Sequence, residues 1–330
     1  MKSLSEVFNS FFSSTAVYSY REDERIFRTR YKRTWFYLFL ALILLMIIAS
    51  KLGFGANEYH YFILNLILVN LVAVIGLNLL VGFTGLLSLG HAAFMGVGAY
   101  TSALLMNHFG FPLVVSMIVA GFVAAFAGLI VGIPSLRIKG FYLMVATLAF
   151  QMVIDYTIMH WDSVTKGSRG IGVPTPEFLG ISLQEQRSFF VFLFVITVIM
   201  MWGAKNLTRS KIGRAFIAIR DNDISAEIIG IPIFRYKLLA FAISAFYAGL
   251  AGALYASMIR TAIPEDYHLL YSVMLLAMVL IGGLGRLTGT VFGVIFMTLI
   301  PILLDNFFSF LSNVYDPNIV ILLGPSKEFV

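Results

Sequence analysis

The chain is cut by short polar breaks into apolar blocks about as long as a bilayer is thick, and nothing else in it limits the fold so strongly. A helix crosses the hydrocarbon core with about 20 residues. Within lipid, only helices and closed barrels satisfy their own backbone hydrogen bonds. The blocks run Trp35–Ser50, Tyr61–Val81, a broken stretch Phe83–Asn107, Phe111–Ile133, Gly140–Trp161, Ser188–Ala204, Lys237–Met258, Tyr271–Leu284 and Thr288–Phe307. The expected fold class is all-α: a polytopic transmembrane helical bundle of about 9–10 spans with one interrupted helix. Composition agrees, with 59% hydrophobic and 12% charged residues in 330. A soluble domain carries about 25% charged residues and would need them to cover its surface.

The chain has no cysteine, which excludes disulfides, thiolate metal sites and cysteine nucleophiles. Basic residues Arg21, Arg25, Arg28, Arg30, Lys32 and Arg33 precede the first block, and no small-residue cleavage site follows it. That block reads as a retained span rather than a cleaved signal. The positive-inside rule puts the amino terminus, Arg137, Lys139 and the Lys205–Lys237 loop on the cytoplasmic side. Residues 1–34 then form a cytoplasmic segment and 35–330 the transmembrane domain, with a cytoplasmic loop at 205–236 and an outer loop at 162–187. The outer loop balances Lys166, Arg169 and Arg187 against Asp162, Glu177 and Glu185. With this parity the chain ends outside, and Ile319–Leu323 is too short to cross; either a last helix follows or this is the natural end. The net charge of +6 sits beside apolar blocks and does not argue for nucleic acid.

One stretch does not fit lipid. "KIGRAFIAIRDNDISAEIIGI", Lys211 to Ile231, carries both signs of charge between two apolar blocks. Ile212, Ala215, Phe216 and Ile219 recur at helical spacing, "RDND" reads as a turn, and Asp221 or Asp223 could cap a second short helix. Two roles suit the pattern. One is an amphipathic helix on the inner leaflet. The other is a docking helix, in which Gly213, Ala215 and Ala218 allow close approach and Arg214, Arg220 and Asp221 set the register.

This stretch resembles the cytoplasmic coupling loop of ATP-binding-cassette (ABC) importer permeases, and in particular the branched-chain amino acid permease family. "GLNLLVGFTGLLSLGHAAFMGVGAY" (Gly76–Tyr100), "GFYLMVATLAF" with "SVTKGSRGIGVP" (within Gly140–Pro174) and "MVLIGGLGRLTGTVFG" (Met278–Gly293) resemble further strings of that family. The long amino terminus is similar to the M-type, longer permease of the pair. The resemblance implies a second permease subunit, two ATPase subunits, an extracytoplasmic solute-binding protein and a bacterial inner-membrane setting. It also implies that Gly213, Arg214, Ala215, Ile219, Arg220, Asp221, Ala226 and Gly230 couple to the ATPase. The implied solutes are branched-chain amino acids, or urea and short amides. In relatives a carboxylate often follows "TLAF" closely, whereas this chain has Gln151 there and Asp155 one turn later.

Nothing in the chain looks catalytic. It lacks G-x-x-x-x-G-K-[ST], so no P-loop is expected, and neither a cofactor nor a metal site is expected. Polar groups persist in lipid when they pair or line a water-filled path. Asn78, Gly85, Ser88, Gly90, His91, Thr147, Gln151 and Asp155 are the candidates for a translocation path. The glycine-broken Gly82–Gly98 stretch could free backbone amides for a solute carboxylate. It could equally serve close helix packing, and Asn78 could be interhelical glue. "GLLSLGHAAFMG" (Gly85–Gly96) and "GLGRLTGTVFG" (Gly283–Gly293) share glycine spacing and hint at related halves. An ion-coupled secondary transporter is the alternative function, and it would need intramembrane carboxylates, of which Asp155 is the one available.

Overall fold

The structure is a computed structural model in which residues 58–135, 141–178 and 181–314 are described. The expected first span Trp35–Ser50, the segment 1–34, Arg137, Lys139 and Ile319–Leu323 lie outside the described residues.

Eight apolar blocks fall within the described residues, and each is a helix. In chain order these are α1 (Glu58–Thr84), α2 (His91–Phe109), α3 (Leu113–Ser135), α4 (Phe141–His160), α6 (Gln186–Arg209), α9 (Ile233–Ile259), α10 (Leu269–Gly282) and α11 (Leu287–Val314). Three short helices lie between them: α5 (Asp162–Thr165), α7 (Lys211–Asp221) and α8 (Asp223–Ile228). Seven of the long helices are long and apolar enough to cross a membrane, counting the turn Pro264–Tyr267 with α10. The chain is an all-α, multi-pass membrane protein. The exception is α2, whose polar and small residues lower its hydropathy and are sheltered inside the bundle: His91, Gly96, Gly98 and Ser102 are all buried.

Two helices form the centre. The apolar stretch of α1 is 89% buried and that of α9 67%, against 22% for α4 and α11. α9 lies along α3, α2 and α1, and α1 also lies along α6. In lipid, apolar side chains gain little by leaving the solvent, so helices associate where small residues let backbones touch. That is the arrangement here. A Cβ at Gly98 would collide with the Gly249 backbone, one at Gly252 with the Met95 carbonyl, and one at Gly249 would lie 2.8 Å from the Ala120 carbonyl oxygen. The outward faces of α3, α4 and α11 carry exposed Phe122, Phe126, Met152, Tyr156, Phe292 and Leu303, as lipid-facing helices do.

The interruption differs from the one read in Phe83–Asn107. Gly96 and Gly98 lie inside a continuous helix, where they serve close packing. The break is confined to Gly85–Gly90, between the end of α1 and the start of α2. Its depth follows from one contact: His91 Nε2 meets the Ala73 carbonyl at 2.9 Å. Ala73 lies 84 − 73 = 11 residues before the end of α1, or about 16 Å at 1.5 Å per residue. Six extended residues reach about 20 Å. The break therefore climbs into the bundle and α2 starts near mid-depth, not at the surface.

The two ends of the bundle differ. One carries α7, α8 and the Lys205–Lys237 charges, and is called the basic end below. At the other, β1 (Ile171–Gly172) pairs antiparallel with β4 (Thr261–Ala262), with Ile171 opposite Ala262, and β2 (Glu177–Phe178) pairs with β3 (Ile181–Ser182). The β1–β4 pair, with Asn107 Nδ2 donating to Gly172 O at 2.7 Å and Arg260 Nη2 to Gln184 O at 2.8 Å, binds the 162–187 loop to α2 and α9.

Candidate functional site

Two regions hold the candidate residues. The first is the charged loop at the basic end. Ser210 caps α7, accepting from the Ile212 and Gly213 amides at 3.1 and 3.4 Å. The cap of α8 is Asn222, which accepts from the Ser225 amide at 3.0 Å, and neither Asp221 nor Asp223. Asp223 instead pairs with Lys237 at 3.6 Å, tying α8 to α9.

The small residues assigned to docking face the other way. Gly213, Ala215, Phe216 and Ile219 of α7 and Ala226 of α8 are buried against the chain's own helices. A Cβ at Gly213 would strike the Thr208 backbone, so Gly213 is needed for the α6–α7 reversal. Helical periodicity identifies an apolar stripe but not what it packs on, and here the stripe packs on α1, α6 and α9. Arg220 is exposed, but its Nη1 reaches back to donate to the Gly82 carbonyl at 3.0 Å. Arg214, Asp221 and Gly230 remain exposed. Beside them lie Ile224 and Ile228, which sequence reasoning passed over, and Ile229, which the spacing placed with Ala226 on the apolar stripe; they are exposed at 64%, 80% and 72%. The signal was present. Ile224 and Ile228 lie off the i, i+3, i+4 positions set by Ala226, whereas Ile229 holds the i+3 position and is exposed because α8 ends at Ile228.

The second region is the mid-depth start of α2. A helix here leaves amides without intrahelical partners, and water is scarce. Side chains supply the partners. Leu89 N–H donates to Thr147 Oγ1 at 3.0 Å, Ala92 N–H to Ser272 Oγ at 2.8 Å, and Ala93 N–H to Gln151 Oε1 at 2.8 Å. Ser272 Oγ also donates to Gln151 Oε1 at 3.0 Å. The Gln151 amide nitrogen donates to the Tyr267 carbonyl at 2.7 Å and to Asp155 Oδ1 at 2.8 Å. Gln151 thus joins α2, α4, α10 and the turn before α10 in one network. The amides expected to be open to a solute carboxylate are, in this conformation, occupied by Ser272 and Gln151.

The remaining path candidates sort by contact. Thr147, Gln151, Ser88 and His91 are buried and lie around the break, as does Gly90, where a Cβ would come 2.6 Å from the Thr147 carbonyl oxygen. Asn78 is glue: its Nδ2 donates to Thr290 Oγ1 at 2.7 Å and its Oδ1 accepts from the Gly285 amide at 3.0 Å. Asp155 is partly exposed, beside Met152 and Tyr156 on the outward face of α4. It forms no ion pair with any described Lys or Arg. Its Oδ1 accepts from Gln151, and His268, just before α10, is the cationic group that acts on it. Sequence reasoning missed Ser272 and the Tyr267 carbonyl. Ser272 was visible as a polar residue in an apolar block, whereas a backbone acceptor leaves no mark in a sequence.

Residues 59–323 match the family described as branched-chain amino acid transport system / permease component. The high-affinity branched-chain amino acid transport system permease protein LivM of Escherichia coli is 32% identical over 270 residues, 74% of this chain and 64% of that protein. The autoinducer 2 import system permease protein LsrC of Enterobacter sp. is 30% identical over 224 residues, 64% of this chain and 61% of that protein. The fructose import permease protein FruG of Bifidobacterium longum is 24% identical over 282 residues, 81% of this chain and 82% of that protein. The match to LivM thus spans just under two thirds of that protein's length. No solved structure matches.

Proposed function

The chain belongs to the branched-chain amino acid transport permease family, and from that premise we propose that it is the membrane permease subunit of an ATP-driven ABC importer. In this reading it forms part of the path for branched-chain amino acids, or for related small polar solutes such as urea or amides. It works with a second permease subunit, two ATPase subunits and an extracytoplasmic solute-binding protein in a bacterial inner membrane, with its amino terminus in the cytoplasm. The observation that carries the reading is the family match over residues 59–323, which includes the α7–α8 loop. That loop supports an ATPase-facing role through its exposed side, where Ile224, Ile228 and Ile229 stand beside Arg214 and Asp221. The solute path runs along α4, past Thr147, Gln151 and Asp155. The 162–187 loop, with exposed Ser168 and Arg169, meets the solute-binding protein.

The test uses the complex in vesicles loaded with ATP. Leucine uptake persists when the proton gradient is collapsed at constant ATP, and collapse of uptake with the gradient refutes the reading. Ile228→Trp separates docking from lipid contact. A packed protein groove rejects the larger ring, with strain of about 1–3 kcal/mol, and ATPase subunits are lost from the purified complex. A leaflet-bound helix accepts it, because apolar area is retained. A single cysteine at Ser168 in this cysteine-free chain crosslinks to the solute-binding protein if the outer-loop assignment holds.

A further inference from the structure

Arg220 occupies a slot between two chain reversals that are far apart in sequence. Its Nη1 donates to the Gly82 carbonyl at 3.0 Å, near the end of α1. Its Nε and Nη2 both donate to Asp221 Oδ1, at 3.1 and 3.0 Å, which holds the planar guanidinium in one orientation. Both walls of the slot are glycines in the left-handed region, Gly85 at φ +71° and Gly285 at φ +72°. A Cβ at Gly285 would lie 2.9 Å from Nη1, and one at Gly85 would lie 3.1 Å from Arg220 Cγ. The far wall is itself anchored, since the Gly285 amide donates to Asn78 Oδ1 and Asn78 donates to Thr290 of α11. One side chain from α7 therefore touches the end of α1, the start of the Gly85–Gly90 break and the α10–α11 turn.

We propose that Arg220 is the positioning residue through which movement of the α7–α8 loop reaches the mid-depth break. This rests on the reading of that loop as the ATPase-facing element. The pair with Asp221 is largely exposed and sequence-adjacent, so its charge contributes little; its use is to aim the fork. The fork matters because Lys offers a point charge on a flexible stem, whereas guanidinium presents several donors in fixed directions. A displacement of α7 moves Nη1, and with it the Gly82 carbonyl and the first residues of the break. The break is bonded in turn to α4 through Leu89–Thr147 and Ala93–Gln151, and to α10 through Ala92–Ser272. A residue whose task was to grip a partner would keep its guanidinium clear of its own backbone, and Arg220 does not.

The experiment uses the reconstituted complex carrying Arg220→Ala, Arg220→Lys or Gly285→Ala. It reads ATPase subunits retained, ATP hydrolysed and solute moved per ATP. The expected result for Arg220→Ala is retained ATPase subunits and hydrolysis, with solute per ATP lower by roughly 5- to 150-fold, the range of a coupling free energy. Arg220→Lys restores part of the loss, and Gly285→Ala reproduces it from the opposite wall. Solute per ATP unchanged in both Arg220→Ala and Gly285→Ala overturns the proposal. Loss of ATPase subunits from Arg220→Ala also overturns it, because Arg220 would then be gripping the partner. Hydrogen exchange on the purified chain separates this inference from the proposed function. Faster exchange at the Gly285 amide and across Gly85–Leu89 in Arg220→Ala supports the link even if the wild-type complex shows no ATP-driven uptake, and unchanged exchange overturns it.

Discussion

Two glycine-marked reversals meet at the basic end, Gly85–Gly90 and Gly283–Arg286, and their likeness in sequence conceals different constructions. Both contain glycine at positive φ, both lead into a helix, and both border Arg220. The second is a tight hairpin held largely by its own bonds: Gly283 N–H to Leu280 O, Arg286 N–H to Gly283 O and Thr290 N–H to Arg286 O. It returns the chain at once, and α10 and α11 then touch where a Cβ at Gly289 would collide with the Gly282 carbonyl. The first climbs to mid-depth before its helix begins, and its amides are met by Thr147, Gln151 and Ser272 from other helices. A reversal closed by neighbouring residues is locally stable. One closed by three distant side chains depends on the positions of α4 and α10, and it changes when they move. That dependence suits the proposed path, which must open and close, whereas the hairpin relies on a distant helix mainly through Asn78 of α1, which accepts from the Gly285 amide.

The comparison can be broken by removing the long-range partners one at a time. The largest effect is expected from Gln151→Leu, which strands the Ala93 amide and the Tyr267 carbonyl and takes a partner from Ser272 and Asp155. Each buried group left unsatisfied costs about 1–3 kcal/mol, so a thermal scan in detergent shows a large loss of stability, with uptake abolished. Asn78→Ala should cost less, about 1–3 kcal/mol. It strands the Gly285 amide alone, because Thr290 still bonds to the Arg286 carbonyl at 3.0 Å. If Asn78→Ala proves the more damaging in the same scan, the hairpin is the dependent reversal and the comparison is inverted. The smallest effect belongs to Thr147→Val, which removes one acceptor from the Leu89 amide near the mid-depth end of the break. About 1 kcal/mol is expected, with hydrogen exchange accelerated at Leu89 and unchanged at Gly285.

The same contrast explains what could be read in advance. Helix existence was legible throughout the described residues, because a run of apolar side chains in lipid has almost no alternative to helix. Boundaries shifted by a few residues, as with Lys237–Met258, which extends to Ile233–Ile259. The α7–turn–α8 pattern was legible from spacing, although its cap proved to be Asn222. Gly96 and Gly98 were misread as part of the interruption. Glycine lowers helix propensity wherever it stands, and only the neighbouring Gly249 and Tyr267 show that these two serve contact. The inward direction of Gly213, Ala215 and Ile219 was equally hidden, since an amphipathic stripe facing its own domain has the same period as one facing a partner.

By itself the sequence determined that this is a helical membrane protein, where its spans lie, that a charged two-helix loop interrupts them, and to which family it belongs. These properties are local, set by hydropathy and spacing over about 20 residues and by strings of side chains in order. The tertiary structure decided that α2 begins at mid-depth, that Gln151 joins three helices and the turn before α10, and that Arg220 reaches across to Gly82 and Gly285. Those outcomes depend on which backbones approach closely enough for a glycine to be required or a side chain to reach. The partners are separated by 58 residues for Ala93 and Gln151 and by 138 for Arg220 and Gly82. No periodicity in one segment encodes the position of a carbonyl in another, so the sequence named the polar residues and the packing of α1, α2, α4 and α10 determined what they bind.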